Sequence, residues 1–143
     1  MKNFLLVFIG GGLGSGLRYI ISISLDQYAK IFPYSTFLVN AIGCLLIGLI
    51  MGYSQKEYSI SQNQILLLTT GFCGGFTTFS TFAKENLKLI EDGEIFNFSI
   101  YLLGSIIIGI IASIYFKPFQ FFLGLLRYTF KNTALFWQHM KYC

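Results

Sequence analysis

One run of this sequence, residues 71–82, concentrates residue types that could handle a small ion. It reads Gly-Phe-Cys-Gly-Gly-Phe-Thr-Thr-Phe-Ser-Thr-Phe. Hydroxyl hydrogens and the positive edges of phenyl rings can contact a small anion without the full charge that would trap it. Glycine is costly inside a helix and hydroxyl groups compete for backbone hydrogen bonds, so we expect a helix that is broken near Gly74–Thr78. A membrane span interrupted in this way is typical of an ion or substrate site.

The segments that must hold this run in place are long and apolar. Hydrophobic residues make up 55% of the 143 residues and charged residues only 11%, which is typical of a membrane protein. A span needs roughly 20 apolar residues, and four segments are long enough: 4–25, 34–54, 65–84 and 96–116. We therefore predict an all-α membrane protein with four transmembrane helices, the third broken mid-membrane. Its surroundings are a lipid bilayer, and no nucleic-acid partner is expected.

Length and composition argue against several classes of protein. Four short helices leave almost no chain for a soluble catalytic unit, so we expect the working site to be built by oligomerisation. The sequence does not predict an enzyme, because it contains no nucleophile–base pair and no metal-ligand spacing. The first segment is too long for a signal peptide and carries Arg18 at depth. The cysteines are expected to be free thiols: Cys44, Cys73 and Cys143.

Two polar residues inside predicted spans each allow two interpretations. A charge within a span costs ~3 kcal/mol on insertion scales. Arg18 either extends to an interface near the end of its span or lines an aqueous vestibule that attracts anions. Asn40 either joins two helices by hydrogen bonds or donates an amide N–H to an anion. The sequence leaves both questions open.

Spacing within the first and fourth spans predicts helix faces. Small residues four apart let helices approach closely, and the first span has two such pairs, Gly10/Gly14 and Gly12/Gly16. The fourth span has a mildly polar stripe on one face, formed by Tyr101, Ser105, Gly109 and Ser113. The stripe fits a packing face and a lined path equally well.

The predicted domain ends with the fourth span. Residues 1–117 form the four-helix domain, and 118–143 are a basic, aromatic extension. The apolar stretches of this extension are too short to span, and a helix lying on an anionic surface is expected. Within the domain, 84–94 concentrates charge and is predicted to be a solvated loop.

Lysines in the short loops favour neither orientation in the membrane. Four spans place both termini on one side, which holds Lys2, Lys56 and Lys117. The opposite side holds Lys30, Lys84 and Lys88. Orientation follows the Lys and Arg of short loops, so this balance, counted up to Lys117 and without Arg18, predicts that the chain inserts both ways and that an antiparallel pair can form. Arg127, Lys131 and Lys141 shift the balance toward both termini lying inside, if their distance from the last span does not weaken them.

Three motifs can be compared with known families. They are Gly10-Gly11-x-x-Gly14-Ser15-x-x-Arg18-Tyr19, Thr36-x-x-Val39-Asn40-x-x-Gly43 and Gly71-x-x-Gly74-Gly75-x-Thr77-Thr78-Phe79-Ser80-Thr81-Phe82. Together they resemble the signatures of the small fluoride channels, the CrcB/Fluc family, over about residues 4–116. The resemblance implies an antiparallel, dual-topology homodimer in the cell inner membrane, with two fluoride pores and a structural sodium ion at its centre. Such a channel exports fluoride passively and protects the cytoplasm from accumulating the weak acid HF.

The resemblance also implies roles for the residues that match the motifs. The implied fluoride path is lined by Asn40, Phe79, Phe82, Ser80, Thr81, Tyr101 and Ser105, with Arg18 at the vestibule. The implied sodium ligands are the backbone carbonyls of Gly74 and Thr77. Gly109 departs from the family's polar track because it lacks a hydroxyl group.

Two other functions fit four glycine-rich spans. A small proton-coupled drug exporter would need a carboxylate embedded in the membrane, and Glu85 sits only at the end of the third predicted span. A non-transporting scaffold subunit would leave the Thr-Thr-Phe-Ser-Thr-Phe run without a role. The sequence alone does not select fluoride among small anions.

Overall fold

The structure, a computed structural model, describes residues 1–25, 32–54 and 60–114. Within these ranges the regular elements are helical. In chain order they are α1 (Lys2–Leu25), α2 (Tyr34–Ser54), α3 (Gln62–Leu66), a π-helical run (Leu67–Cys73), α4 (Gly74–Phe76), α5 (Phe79–Glu91) and α6 (Ile95–Ile114). The extension 118–143 and Lys30, Lys56, Lys117 and Cys143 lie outside the described residues.

These elements form four segments that are long and apolar enough to cross a membrane: Lys2–Leu25, Tyr34–Ser54, Gln62–Glu91 and Ile95–Ile114. The third combines α3, the π-helical run, α4 and α5. The prediction of a membrane protein with four spans is therefore confirmed. The second span begins directly after Pro33, whose carbonyl accepts the Phe37 N–H at 3.1 Å. A proline has no N–H to lose at a helix start and its fixed φ suits that position.

The third span is longer than predicted. The stretch 84–94 was expected to be a loop, which is wrong for most of its length, because α5 continues to Glu91. The physical reason is a buried face at helical spacing, formed by Phe82, Asn86 and Leu89. The chain turns only at Asp92–Glu94, where Gly93 has a positive φ of 75°.

Glycines let α1 lie against the third span at backbone distance. A Cβ at Gly10 would come within 2.9 Å of the Phe72 nitrogen, and one at Gly14 would collide with the Phe72 carbonyl. Gly12 and Gly16 have nothing within 4 Å of a built Cβ among the described residues. The Gly10/Gly14 pair therefore makes the predicted close approach, whereas the Gly12/Gly16 pair faces away from the rest of the described chain.

A small aromatic core joins α5 to α6. Phe82, Leu89 and Tyr101 are buried together, with Phe32, Phe37, Phe98 and Leu102 packed against them. Many large apolar side chains elsewhere on the four spans are exposed. A water-soluble monomer rarely exposes so much apolar surface, so this distribution agrees with a chain that meets lipid on most sides.

Candidate ion site

The third span leaves helical geometry at two threonines. Thr77 has φ −76° and ψ 158°, and Thr78 has φ −147° and ψ 110°. Both are extended, so α4 ends at Phe76 and α5 begins at Phe79. Thr78 caps the new helix, since its Oγ1 accepts the Thr81 N–H at 3.2 Å. A threonine at this position satisfies one of the free N–H groups that open every helix.

Asn40 on α2 pairs with the backbone of Thr78. Asn40 Oδ1 accepts the Thr78 N–H at 2.8 Å, and Asn40 Nδ2 donates to the Thr78 carbonyl at 3.3 Å. One helical turn along α2, Gly43 lies so close to the chain that an added Cβ would collide with Thr77 Cγ2. Asn40 thus makes the interhelical contact that was one of its two predicted roles. An amide nitrogen carries two hydrogens, so this contact leaves room for the other role.

Backbone carbonyls gather where α4 ends. In a continuous helix the Gly74 carbonyl would accept the Thr78 N–H, but that N–H donates to Asn40. The next carbonyl, of Gly75, accepts Arg18 Nε at 3.2 Å and Ser15 Oγ at 3.3 Å. The C-terminal end of a helix carries partial negative charge. This end of α4 therefore offers oxygen ligands of the kind that a hard monovalent cation takes.

The donor set at this end fits the sodium ion that the resemblance implies. Gly74 is exposed, and a Cβ built on it would meet only the Thr69 carbonyl, at 3.8 Å. Across the described ranges, no group of three or more His, Cys, Asp or Glu side chains could hold a metal ion. A cation here would be held by the carbonyls of Gly74 and Thr77, without side-chain charge.

Arg18 reaches inward to the same region. Besides its bond to Gly75, it lines a polar cavity of about 30 Å³ together with Ser22, Ser35, Thr36 and Thr78. A cavity of this size can hold water. The Arg18 side chain therefore bonds inward to the third span beside a small polar cavity. Its role at a vestibule stays a prediction.

The hydroxyl groups of the run cluster around the helix cap. Thr78 Oγ1 lies 3.0 Å from Thr81 Oγ1 and 3.3 Å from Ser80 Oγ. Ser80 is exposed and Thr81 is half-buried. The predicted site residues Ser80 and Thr81 are thus brought together, and Thr78, which the sequence did not single out as a site residue, holds them at one point.

The two predicted rings have different surroundings. Phe79 is 80% exposed, whereas Phe82 is 8% exposed, and their centroids lie 5.9 Å apart. Phe82 also packs against Tyr101 on α6, with centroids 5.0 Å apart. The structure therefore joins Phe82 to the fourth span and leaves Phe79 on the outside of the described chain.

Glu85 is the residue that sequence reasoning placed least well. It was assigned to the solvated stretch 84–94, but it lies in α5, half-buried between two other spans. Thr36 Oγ1 donates to one carboxylate oxygen at 2.8 Å, and Tyr101 Oη donates to the other at 2.7 Å. The helical spacing that continues from Phe82 to Leu89 was the signal that could have placed it.

The part of the α6 stripe from Ser105 to Ser113 lines a groove of about 400 Å³. Ser105 Oγ is inaccessible there and has no hydrogen-bond partner among the residues that the structure describes. A Cβ on Gly109 would lie 3.3 Å from Cys44 Sγ, and Ser113 Oγ donates to the Gly109 carbonyl at 3.0 Å. Ser105, Gly109 and Ser113 line this groove, whereas Tyr101 is buried against α5. The stripe has no side-chain donor at Gly109, and the path along it stays a prediction.

Comparison with known proteins places this arrangement in a family. The sequence model of a family described as "CrcB-like protein, Camphor Resistance (CrcB)" matches residues 5–115. The chain belongs to the CrcB family. A protein of Flavobacterium psychrophilum, named fluoride-specific ion channel FluC, is 42% identical over 114 residues, which are 79% of this chain and 92% of the relative.

Two further CrcB-type relatives carry the same name. That of Phocaeicola vulgatus is 46% identical over 113 residues, covering 78% of this chain and 93% of the relative. That of Chlorobium phaeobacteroides is 49% identical over 112 residues, covering 78% and 87%. Their names describe ion channels, which are not a class of enzyme. The CrcB match contains every residue of the candidate site and does not reach the extension 118–143.

Proposed function

We propose that this CrcB-family chain is a fluoride-specific channel that exports fluoride passively from the cytoplasm through the cell inner membrane. The observation that carries the proposal is the interruption of an apolar span at Thr77–Thr78. Beside it lie clustered hydroxyl groups, two neighbouring rings, and a Gly74 carbonyl whose helical partner, the Thr78 N–H, donates to Asn40 instead. Relatives 42–49% identical over most of their length are named fluoride-specific channels, which supports the choice of ion. Export of this kind keeps HF from accumulating.

The proposed path runs along α5 and α6. Its residues are Asn40, Phe79, Ser80, Thr81, Phe82, Tyr101 and Ser105, with Arg18 at the entrance. Fluoride holds its water strongly, so the path must replace that water with several weak donors and positive ring edges. The contact between Phe82 and Tyr101 supports a path between α5 and α6. One turn further along α6, the Ser105 hydroxyl group has no hydrogen-bond partner among the described residues, so it can still donate to an ion.

The working unit is proposed to be an antiparallel homodimer with two such paths. Two features of the site support a second copy. Phe79 and Gly74 are exposed although they belong to the run that carries the chemistry. A second copy that packs against this surface would cover the Phe79 ring and the Gly74 backbone. Up to Lys117, lysines are equally divided between the two ends of the spans, with Lys84 and Lys88 on α5 and not in a loop. This balance supports opposite insertion of the two copies.

A structural sodium ion is proposed at the centre of that dimer. Each copy would supply the Gly74 and Thr77 carbonyls, and the ion would stabilise the break without moving with fluoride. When bound, such an ion supplies positive charge that balances the negative ends of two α4 helices. The break lies mid-membrane in this arrangement, where bare carbonyls need a partner.

Fluoride efflux from liposomes that hold the purified full-length chain tests the proposal, with chloride as the comparison ion. We expect rapid fluoride efflux, negligible chloride efflux and no uphill fluoride movement under a sodium gradient. Equal flux of both anions, or none of either, would overturn it.

The exporter alternative gains one observation from the structure, because Glu85 lies within the third span. Both of its carboxylate oxygens accept hydrogen bonds in the described chain, from Thr36 and Tyr101. Uphill drug movement driven by a pH gradient in the same liposomes, and lost in Glu85→Gln, would favour the exporter. The channel proposal expects no such movement.

A further inference from the structure

The side-chain amide of Asn40 forms hydrogen bonds with the backbone of Thr78, as another peptide group would. It accepts the N–H of Thr78 at 2.8 Å and donates to the carbonyl of the same residue at 3.3 Å, across 38 positions of sequence. An amide side chain offers both a donor and an acceptor, whereas a carboxylate only accepts. Among side chains of this length, asparagine is therefore the one that can make both bonds.

Gly43 completes the contact one turn along α2. It is buried, and a Cβ there would collide with Thr77 Cγ2 while staying 3.6 Å from Thr77 Cβ. The threonine methyl thus occupies the space that a side chain at position 43 would need. Asn40 and Gly43 together hold the two extended residues, Thr77 and Thr78, against α2.

The extended residues need such a contact. Residues that leave a helix lose the regular partners of their backbone groups, and an unpaired backbone group is costly in apolar surroundings. Asn40 satisfies both backbone groups of Thr78. The same contact removes the Thr78 N–H from the Gly74 carbonyl, which is the change that frees this carbonyl for another partner.

We propose that Asn40 and Gly43 form a clasp that keeps the break open and sets two things at once: the direction of the Gly74 and Thr77 carbonyls, and the place where α5 begins. Asn40 is then a positioning residue. The contact itself does not depend on the ion carried, but its consequences for sodium and fluoride rest on the proposed function. The clasp makes sodium binding and fluoride conduction depend on one contact between α2 and the third span.

A double-mutant cycle on full-length protein tests the clasp. The variants are Gly43→Ala, Thr77→Ser and the pair, because serine removes the methyl group with which the new Cβ collides and keeps the hydroxyl that donates to the Cys73 carbonyl. Gly104→Ala is the matched control, since a Cβ there would meet only Phe37, at 3.9 Å. Each protein is measured for the rise in melting temperature on adding sodium in place of a large organic cation, and for fluoride efflux from liposomes.

Gly43→Ala is expected to lose most of the sodium-dependent rise and to slow fluoride efflux by roughly tenfold. The paired variant is expected to recover most of both, beyond the product of the two single effects. Gly104→Ala should behave as wild type. A pair no better than Gly43→Ala alone would overturn the clasp, as would a Gly43→Ala protein with wild-type melting and efflux.

Asn40→Asp separates positioning from direct contact with the anion. Aspartate keeps an acceptor for the Thr78 N–H but loses the donor to the Thr78 carbonyl. The clasp predicts that both the sodium-dependent rise and the efflux fall. Slower efflux with an unchanged sodium response would overturn the positioning role. If wild type carries no fluoride, the channel proposal fails, but recovery of melting temperature in the paired variant still reports on the clasp.

Discussion

Phe79 and Phe82 are three residues apart on one helix face, yet only one of them is covered by the chain. Phe82 lies against Tyr101, and Tyr101 in turn donates to Glu85, so this ring belongs to a connected set of side chains. Phe79 has open space around it and is 80% exposed. The two rings therefore reach the proposed path from different sides, one from within the copy and one from its surface.

Phe79→Ile and Phe82→Ile test the rings individually. Each change keeps apolar bulk and removes the positive ring edge, so each should slow fluoride efflux from liposomes by at least about tenfold. Phe82→Ile should also lower stability by about 1 kcal/mol through its lost contact with Tyr101. Phe8→Ile is the control, since Phe8 is an exposed ring on α1 away from the break. Normal efflux in both ring variants would place the path elsewhere.

At the scale of elements, the third span depends on close contact with α1. The π-helical run Leu67–Cys73 and α4 lie where α1 has glycines, and Gly75 is so near α1 that a Cβ would collide with the Gly11 carbonyl. A π-helical run costs regular hydrogen bonding and is common at functional sites. The glycines let α1 support that irregular backbone by direct contact.

Gly14→Ala and Gly12→Ala make a matched pair on α1. The added methyl group at position 14 would collide with the Phe72 carbonyl, whereas at position 12 it meets nothing within 4 Å. We expect Gly14→Ala to destabilise the protein by about 1–3 kcal/mol. Gly12→Ala should be neutral or gain up to about 1 kcal/mol from helix propensity. Denaturant unfolding in detergent measures both, and equal effects would contradict the helix contact described here.

At the scale of the whole molecule, most of the surface is apolar and the chemistry-bearing run is partly uncovered. Apolar side chains that face lipid need no protein partner, but Phe79 and Gly74 belong to the candidate site and are exposed. The groove beside Ser105 is open as well. These uncovered features belong to one chain, and the proposed second copy would cover them.

Cysteine labelling tests the arrangement of that second copy. Asn63→Cys, in a background without Cys44, Cys73 and Cys143, puts one thiol at an exposed position near the start of α3. Equal numbers of lysines near the two ends of the spans predict labelling from both sides of the membrane by an impermeant reagent. Deleting 118–143 should bring the two sides closer to equal, since the extension carries basic residues. Labelling from a single side would exclude the antiparallel dimer.

Local sequence was enough to predict the four spans, and it also predicted an interruption of the third. Each span is a matter of local composition and of length, because the thickness of a bilayer fixes how many apolar residues are needed. The residues at Gly74–Thr78 weaken a helix wherever they occur, and the extended residues lie at Thr77 and Thr78, within that window. The family resemblance, confirmed by the CrcB match, added the candidate residues.

Contacts between residues on different helices became known from the folded structure and not from the sequence. Asn40 accepts a hydrogen bond from Thr78, Thr36 donates one to Glu85, and Gly43 lies against Thr77. Such pairs depend on how far each helix is rotated and where it crosses its neighbour, and neither quantity is encoded in the spacing of one segment. Glu85 illustrates the difference. Its charge predicted a solvent-exposed position, whereas hydrogen-bond donors on two other helices hold it between the spans.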